Sequence, residues 1–297
     1  MEKLIKDKND KYIIFALLTY IVWGLEAPMA IWFGDLVGIS NLLIYSFFLT
    51  FLTTFLVIVF SKRNIFKSFI SLKSNEKTLL IMAGIFRGAK DSLYYIILIL
   101  FTQNALEIIS INYLWPIVLF LFMKVRSYLS GSKSKLKSQE IFILCASLCT
   151  PLVCYYSMGA TDHSLKIVML SLLSAIFGAL HSYIYNIFNT TISNRSKDEG
   201  VSLESLNPKY FTLCIRSLIA MFIAYFFVDF FDQAPISFSV LKIGGAFIFS
   251  LVQVLLAQHL YSISMKEGGV KGQSSLTIYS IFLGFFITYF SYDIAAN

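Results

Sequence analysis

The sequence predicts an all-α polytopic membrane protein, and three observations carry that expectation. Nine apolar stretches, each about twenty residues long, run from Tyr12 to Tyr292 with short polar loops between them, and a hydrocarbon core of about 30 Å takes roughly 20 helical residues to cross. Only 14% of residues are charged and 57% are hydrophobic, against about 25% charged in an ordinary soluble domain. The basic residues, finally, fall on alternate loops. The spans read as 12–33, 40–60, 78–101, 104–125, 139–157, 165–189, 209–229, 238–263 and 270–292.

Residues 1–11 form a charged tail without the small-residue cleavage pattern of a secretory signal, so the first span reads as retained. The formal charge of +7 reports topology rather than a nucleic-acid partner. Lys3, Lys6, Lys8 and Lys11 share a side with Lys62, Arg63, Lys67, Lys73 and Lys77. Lys124, Arg126, Lys133, Lys135 and Lys137 join them, as do Arg195, Lys197 and Lys209, then Lys266 and Lys271. The intervening loops hold Lys166 and Lys242. Positive charge on alternate loops places the N-terminus in the cytoplasm. The cysteines, Cys145, Cys149, Cys154 and Cys214, lie in apolar surroundings without histidine or carboxylate at metal-ligand spacing, and read as small hydrophobes.

The chain reads as a first five-helix repeat, 12–157, and a second, 158–297, with four predicted helices, and the polar stretch from Thr190 to Lys209 reads as a hinge between two halves. Ser110-Ile-Asn-Tyr-Leu-Trp-Pro-Ile117 in the fourth span is echoed by Ser275-Leu-Thr-Ile-Tyr-Ser-Ile-Phe282 in the ninth. Five spans per repeat would invert the second relative to the first, as in secondary transporters. The fifth span has no counterpart before Asn297, so a tenth helix is missing from its expected place, through loss or through truncation. No phosphate-binding P-loop occurs in the sequence.

The segment Ala105-Leu-Glu107-Ile-Ile-Ser-Ile-Asn112-Tyr113-Leu114-Trp115-Pro116 resembles the fourth helix of the drug/metabolite transporter superfamily, EamA type. Within it, Glu107 with Asn-Tyr-Leu-Trp-Pro is most similar to the aromatic amino acid exporter branch. Trp23-Gly24 resembles that family's opening motif, and Ser264-Met-Lys-Glu-Gly-Gly269 its link between the eighth and ninth helices. The resemblance implies a ten-helix carrier of two inverted repeats around a central cavity, exporting small metabolites such as amino acids across a bacterial inner membrane. It implies no cofactor. The chain departs from the family where Ile281 replaces a proline and at the tenth helix.

Ionisable groups at membrane depth cost about 2.5–3.5 kcal/mol each on insertion scales, and so face a cavity or a partner. Arg87, Lys90 and Asp91 in the third span are the densest such set. They line a translocation cavity, or they neutralise one another. A zwitterionic substrate would want Arg87 or Lys90 for its carboxylate and Glu26 or Asp91 for its ammonium. Asn112, Trp115 and Pro116 share the middle of the fourth span, where Pro116 removes a backbone hydrogen bond and Trp115 either faces a cavity or packs, hydrogen-bonded, against a neighbouring helix. Tyr94 belongs either to that cavity or to an outer aromatic belt. Glu107, His181 and His259 are candidate proton relays, with helix capping and helix contacts as the competing readings. Gln253 and Gln258 mark the eighth span, Arg216 is expected to snorkel toward the cytoplasmic side, and Gly84 and Gly88 to permit a close helix contact.

An intramembrane enzyme would need a nucleophile and base at one depth. His163, His181 and His259 are the three histidines, and none belongs to a matching His-acid set at membrane depth, so the reading is not enzymatic. The competing reading to a carrier is a degenerate homologue acting as a membrane interaction partner. The expected partners are a small-molecule substrate and the lipid bilayer, and the sequence leaves the oligomeric state open. A reporter that works only in the cytoplasm should be active when fused to the N-terminus. Activity of a periplasm-only reporter at that position would overturn the charge-based orientation.

Overall fold

The computed structural model describes residues 11–60, 65–112, 114–129, 165–199, 209–231 and 239–261, with positions 145 and 263. Among them the regular structure is helical throughout, with no strand. The helices are α1 (Lys11–Gly24), α2 (Glu26–Val37), α3 (Ile39–Phe60), α4 (Ile65–Ile70) and α5 (Ser74–Leu100). They continue as α6 (Ala105–Asn112), α7 (Trp115–Leu129), α8 (Leu165–Glu199), α9 (Lys209–Phe231) and α10 (Val240–Phe249). A π-helical turn, Ser250–Leu256, extends α10, and helix resumes to Tyr261.

Five stretches are long and apolar enough to cross a membrane: Leu17–Val37, Ser40–Phe60, Glu107–Leu129, Leu165–Arg195 and Val240–Tyr261. Two further expected spans are helical but differ in character. The 27-residue α5 is long enough, at roughly 40 Å, yet carries Arg87, Lys90 and Asp91 in its middle. In α9 the apolar run covers only Tyr210–Phe226. The spans expected at 139–157 and 270–292 lie outside the described residues, and with them the pairing of inverted repeats.

Boundaries shift for local reasons. The first span runs past residue 33 to Val37 and ends at Gly38, whose φ of +87° is a left-handed stop that glycine adopts without a Cβ penalty. The fourth span is divided between Asn112 and Trp115. Pro116, second residue of α7, has no N–H to give the Asn112 carbonyl, and the N–H groups of Ile117 and Val118 both turn to Leu114 O, at 3.0 and 3.2 Å.

Polarity runs from inside to outside in the sense that suits lipid. Thr50, Thr54, Ser92, Ser174, His181, Arg216, Ser217 and Gln253 are buried. Trp32 is 62% exposed, and Phe55, Phe60, Val125, Phe222, Phe226 and Ile248 also face outward. Apolar surface on this scale would be a liability in water. With lipid outside, helices associate through small residues and hydrogen bonds instead. Ser46 Oγ donates to Ala246 O (3.1 Å) and Thr50 pairs with Ser250 (2.6 Å), joining α3 to α10.

Helix α5 is the axis of the bundle. From Lys90 to Ile99 every residue is buried, against α8 on one side and α9 on the other. The α9 contact requires glycine. A Cβ on Gly88 would stand 2.5 Å from Arg216 O and 2.9 Å from Ile219 Cβ, and one on Gly84 would meet Ile215 Cβ at 2.7 Å. Near the start of α5 a smaller apolar cluster of Leu72, Leu80, Phe188 and Ile192 is roofed by Phe69 stacked on Phe211 (4.4 Å). There Arg195 Nη1 donates to Glu76 Oε2 at 2.6 Å. The same oxygen accepts from Lys73 N (2.8 Å), satisfying a donor that the helix start leaves open. Gly88→Ala should cost about 1–3 kcal/mol in detergent-solubilised unfolding, because a backbone oxygen cannot rotate away. Gly244→Ala, where an added Cβ meets nothing within 4 Å, should leave the unfolding midpoint unchanged.

Candidate functional site

Asp91 is fully buried, and its carboxylate is shared by three cations. Arg216 Nε from α9 donates to Oδ2 in a short bond. Arg87 Nε and Lys90 Nζ, both on α5, lie 3.3 and 3.4 Å from Oδ1. Arg87 stands one turn before Asp91, so helical spacing alone brings that pair to one face. Arg216 comes from another helix. It was expected to snorkel; instead it turns inward and is 2% exposed, because the glycine-packed α5–α9 contact sets its guanidinium beside a carboxylate that needs it. Burying a charge is tolerated when it is paired and hydrogen-bonded.

Arg87 and Lys90 reach past Asp91 into a cavity enclosing about 640 Å³ outside the protein atoms, its open mouth included. The wall is built by residues far apart in sequence: Trp23 and Glu26 from α1 and α2, Tyr94 from α5, Asn112 and Trp115 from the break in the fourth span. Gly178, His181 and Ser182 supply the α8 side, and Gln258 and Tyr261 the helix that follows the π turn. The Arg87 guanidinium lies 5.8 Å from the Trp23 ring centroid, and Lys90 Nζ lies 4.6 Å over Tyr94, both within cation–π range.

Hydrogen bonds hold this wall in place. Tyr95 donates to Glu26 Oε1 in a short bond. Ser174 Oγ lies 3.1 Å from Asn112 Oδ1 and 3.3 Å from Lys90 O, so a single hydroxyl ties α8 to α6 and α5. His181 Nδ1 is 2.8 Å from Ala83 O. A carbonyl only accepts, so that nitrogen carries the proton, and the ring stacks on Tyr185 at 5.8 Å.

Seven of the residues expected from sequence therefore meet at one cavity: Glu26, Arg87, Lys90, Tyr94, Asn112, Trp115 and His181. Asp91 stands behind the wall, engaged by Arg216, and takes the part of counter-charge. Pro116 shapes the α7 start, and its side chain lies outside the described residues. Glu107 is elsewhere: in the first turn of α6 it accepts from Asn104 Nδ2 at 3.2 Å. His259 is exposed and absent from the cavity wall, while its neighbour Gln258 is part of it.

Sequence reasoning missed Gly178, Ser182 and Tyr261 as wall residues. Gly178 and Ser182 stand three residues before His181 and one after it, so the helical face of His181 was a usable signal for the former. Tyr261 had none, because the π turn changes which face of the helix points inward.

Comparison with protein families, curated proteins and solved structures yields no match to this chain. Asp91→Asn should lower stability by about 3–5 kcal/mol, read as detergent-solubilised unfolding, since three buried cations lose their shared partner. A loss under one kilocalorie, on the order of a surface pair, would show that Asp91 is dispensable to the bundle.

Proposed function

We propose that this protein is a secondary carrier, an exporter of small metabolites such as amino acids, working by alternating access around the cavity. The observation that carries the reading is the cavity itself. Ionisable residues placed among apolar helices of membrane-spanning length mark substrate and ion pathways by default, and here Glu26, Arg87 and Lys90 face a shared void rather than only one another.

One helix irregularity borders that void, the break between Asn112 and Trp115, and a second, the π turn Ser250–Leu256, precedes the wall residues Gln258 and Tyr261. Non-helical backbone at such depth is tolerated where it is buried in protein or lines a cavity. Carriers place their sites beside discontinuous helices near the bilayer midplane. Membership of the drug/metabolite transporter superfamily, a bacterial inner-membrane location and a cytoplasmic N-terminus belong to the same proposal, on the motif around Trp115 and the loop charges. An intramembrane enzyme is disfavoured because, among the described residues, the wall sets no nucleophile against a base: His181 faces Ala83 O and Tyr185.

The test is flux. Proteoliposomes holding the full chain should move labelled amino acids or related metabolites. Gly178→Leu, whose Cβ makes ordinary 3.6 Å contacts with Lys90 Cγ and Trp115 Cβ, should reduce flux to background by filling the void, with its insertion checked in the same vesicles. Correct insertion of the unaltered chain with no flux across the panel would overturn the carrier reading and leave the degenerate homologue in its place.

A further inference from the structure

We propose that the cavity selects a small organic anion, a carboxylate of net charge −1 on a flat apolar body, over a zwitterion of the same shape. The inference rests on reading the cavity as a ligand site and narrows what that site accepts. The charges around the void do not balance. With every group ionised, Arg87, Lys90 and Arg216 are set against Glu26 and Asp91, one positive charge in excess among the described residues. The other buried pair, Glu76 with Arg195, closes on itself at the start of α5.

The excess is directed at the void. Arg216 and Asp91 pair behind the wall, whereas Arg87 and Lys90 line it. The rings of Trp23 and Tyr94 beside them attract a cation without neutralising it. A buried charge without a full counter-charge is unfavourable, and a bound carboxylate would supply the missing one through charge-assisted hydrogen bonds.

An ammonium group finds a weaker provision. Of the two carboxylates, Asp91 is withdrawn behind the wall, and Glu26, which lines it, already accepts from Tyr95 on one oxygen. A zwitterion would bring a second positive charge to a site that has one too many. Trp23, Trp115, Tyr94 and Tyr261 furnish the apolar faces that a flat body needs.

The test compares three ligands of nearly one shape at neutral pH: 3-phenylpropanoate (−1), phenylalanine (0) and 2-phenylethylamine (+1). Each is titrated calorimetrically into the full chain in detergent, and flux is measured separately in proteoliposomes. The anion should bind about tenfold more tightly than phenylalanine, and the amine should give no heat. Lys90→Gln should remove the anion's advantage and Lys90→Arg should keep it. Should Lys90→Gln fail to fold, the ranking on the unaltered chain decides alone. Phenylalanine equal to or tighter than the anion, measurable amine binding, or no binding by any of the three would overturn the inference. Binding in the expected order without flux sinks the carrier reading and leaves the anion site standing.

Discussion

Asp91 is the point at which the bundle and the cavity share a constraint. A fully buried carboxylate pays a heavy desolvation cost, and it is held here because one cation comes from another helix and two from its own. The Arg216 contact needs α9 against α5 at a distance only Gly84 and Gly88 allow. Once α9 is docked, Arg216 takes up much of the carboxylate, and Arg87 and Lys90 keep part of their charge for the void beyond. Close packing, charge pairing and the character of the site thus follow from one arrangement.

The surrounding helices serve that arrangement in a medium where apolar burial gives little drive for helix association. Adhesion comes instead from hydroxyls that bridge helices, as Ser92 does to Ala220 O (3.2 Å) and Thr50 to Ser250. Apolar side chains cover the outside. The same logic explains why the regular ladder is interrupted only beside polar company. The break before Trp115 leaves Asn112 and Trp115 at the wall, and the π turn leaves Gln253 Nε2 on Met29 Sδ at 3.1 Å while Gln258 and Tyr261 reach the cavity.

Much of the site was legible because its residues break the expected pattern of their surroundings. Arg87 and Lys90 stand out in an apolar helix, Trp115 and Pro116 stand out at mid-span, and each departure from apolar uniformity has a physical reason. Residues conforming to their surroundings gave no such signal. Ser182 reads as any small residue in a helix, and Tyr261 as one more aromatic at a span end. Glu107 and His259 carried the same sequence signal as Glu26 and His181, and only their positions relative to the void separate them.

Periodless apolar length, alternate basic loops and the charged middle of one helix determined from sequence alone that the chain is helical, that lipid suits it, and where buried charge must concentrate. These are one-dimensional properties, set by solvent transfer energies residue by residue. The tertiary structure decided which cation pairs with Asp91, which carboxylate lies behind the wall and which along it, and which polar residues share a void. Those outcomes depend on close approach between helices far apart in the chain, and electrostatic energy in a low dielectric turns on a few ångströms that no spacing along a sequence encodes.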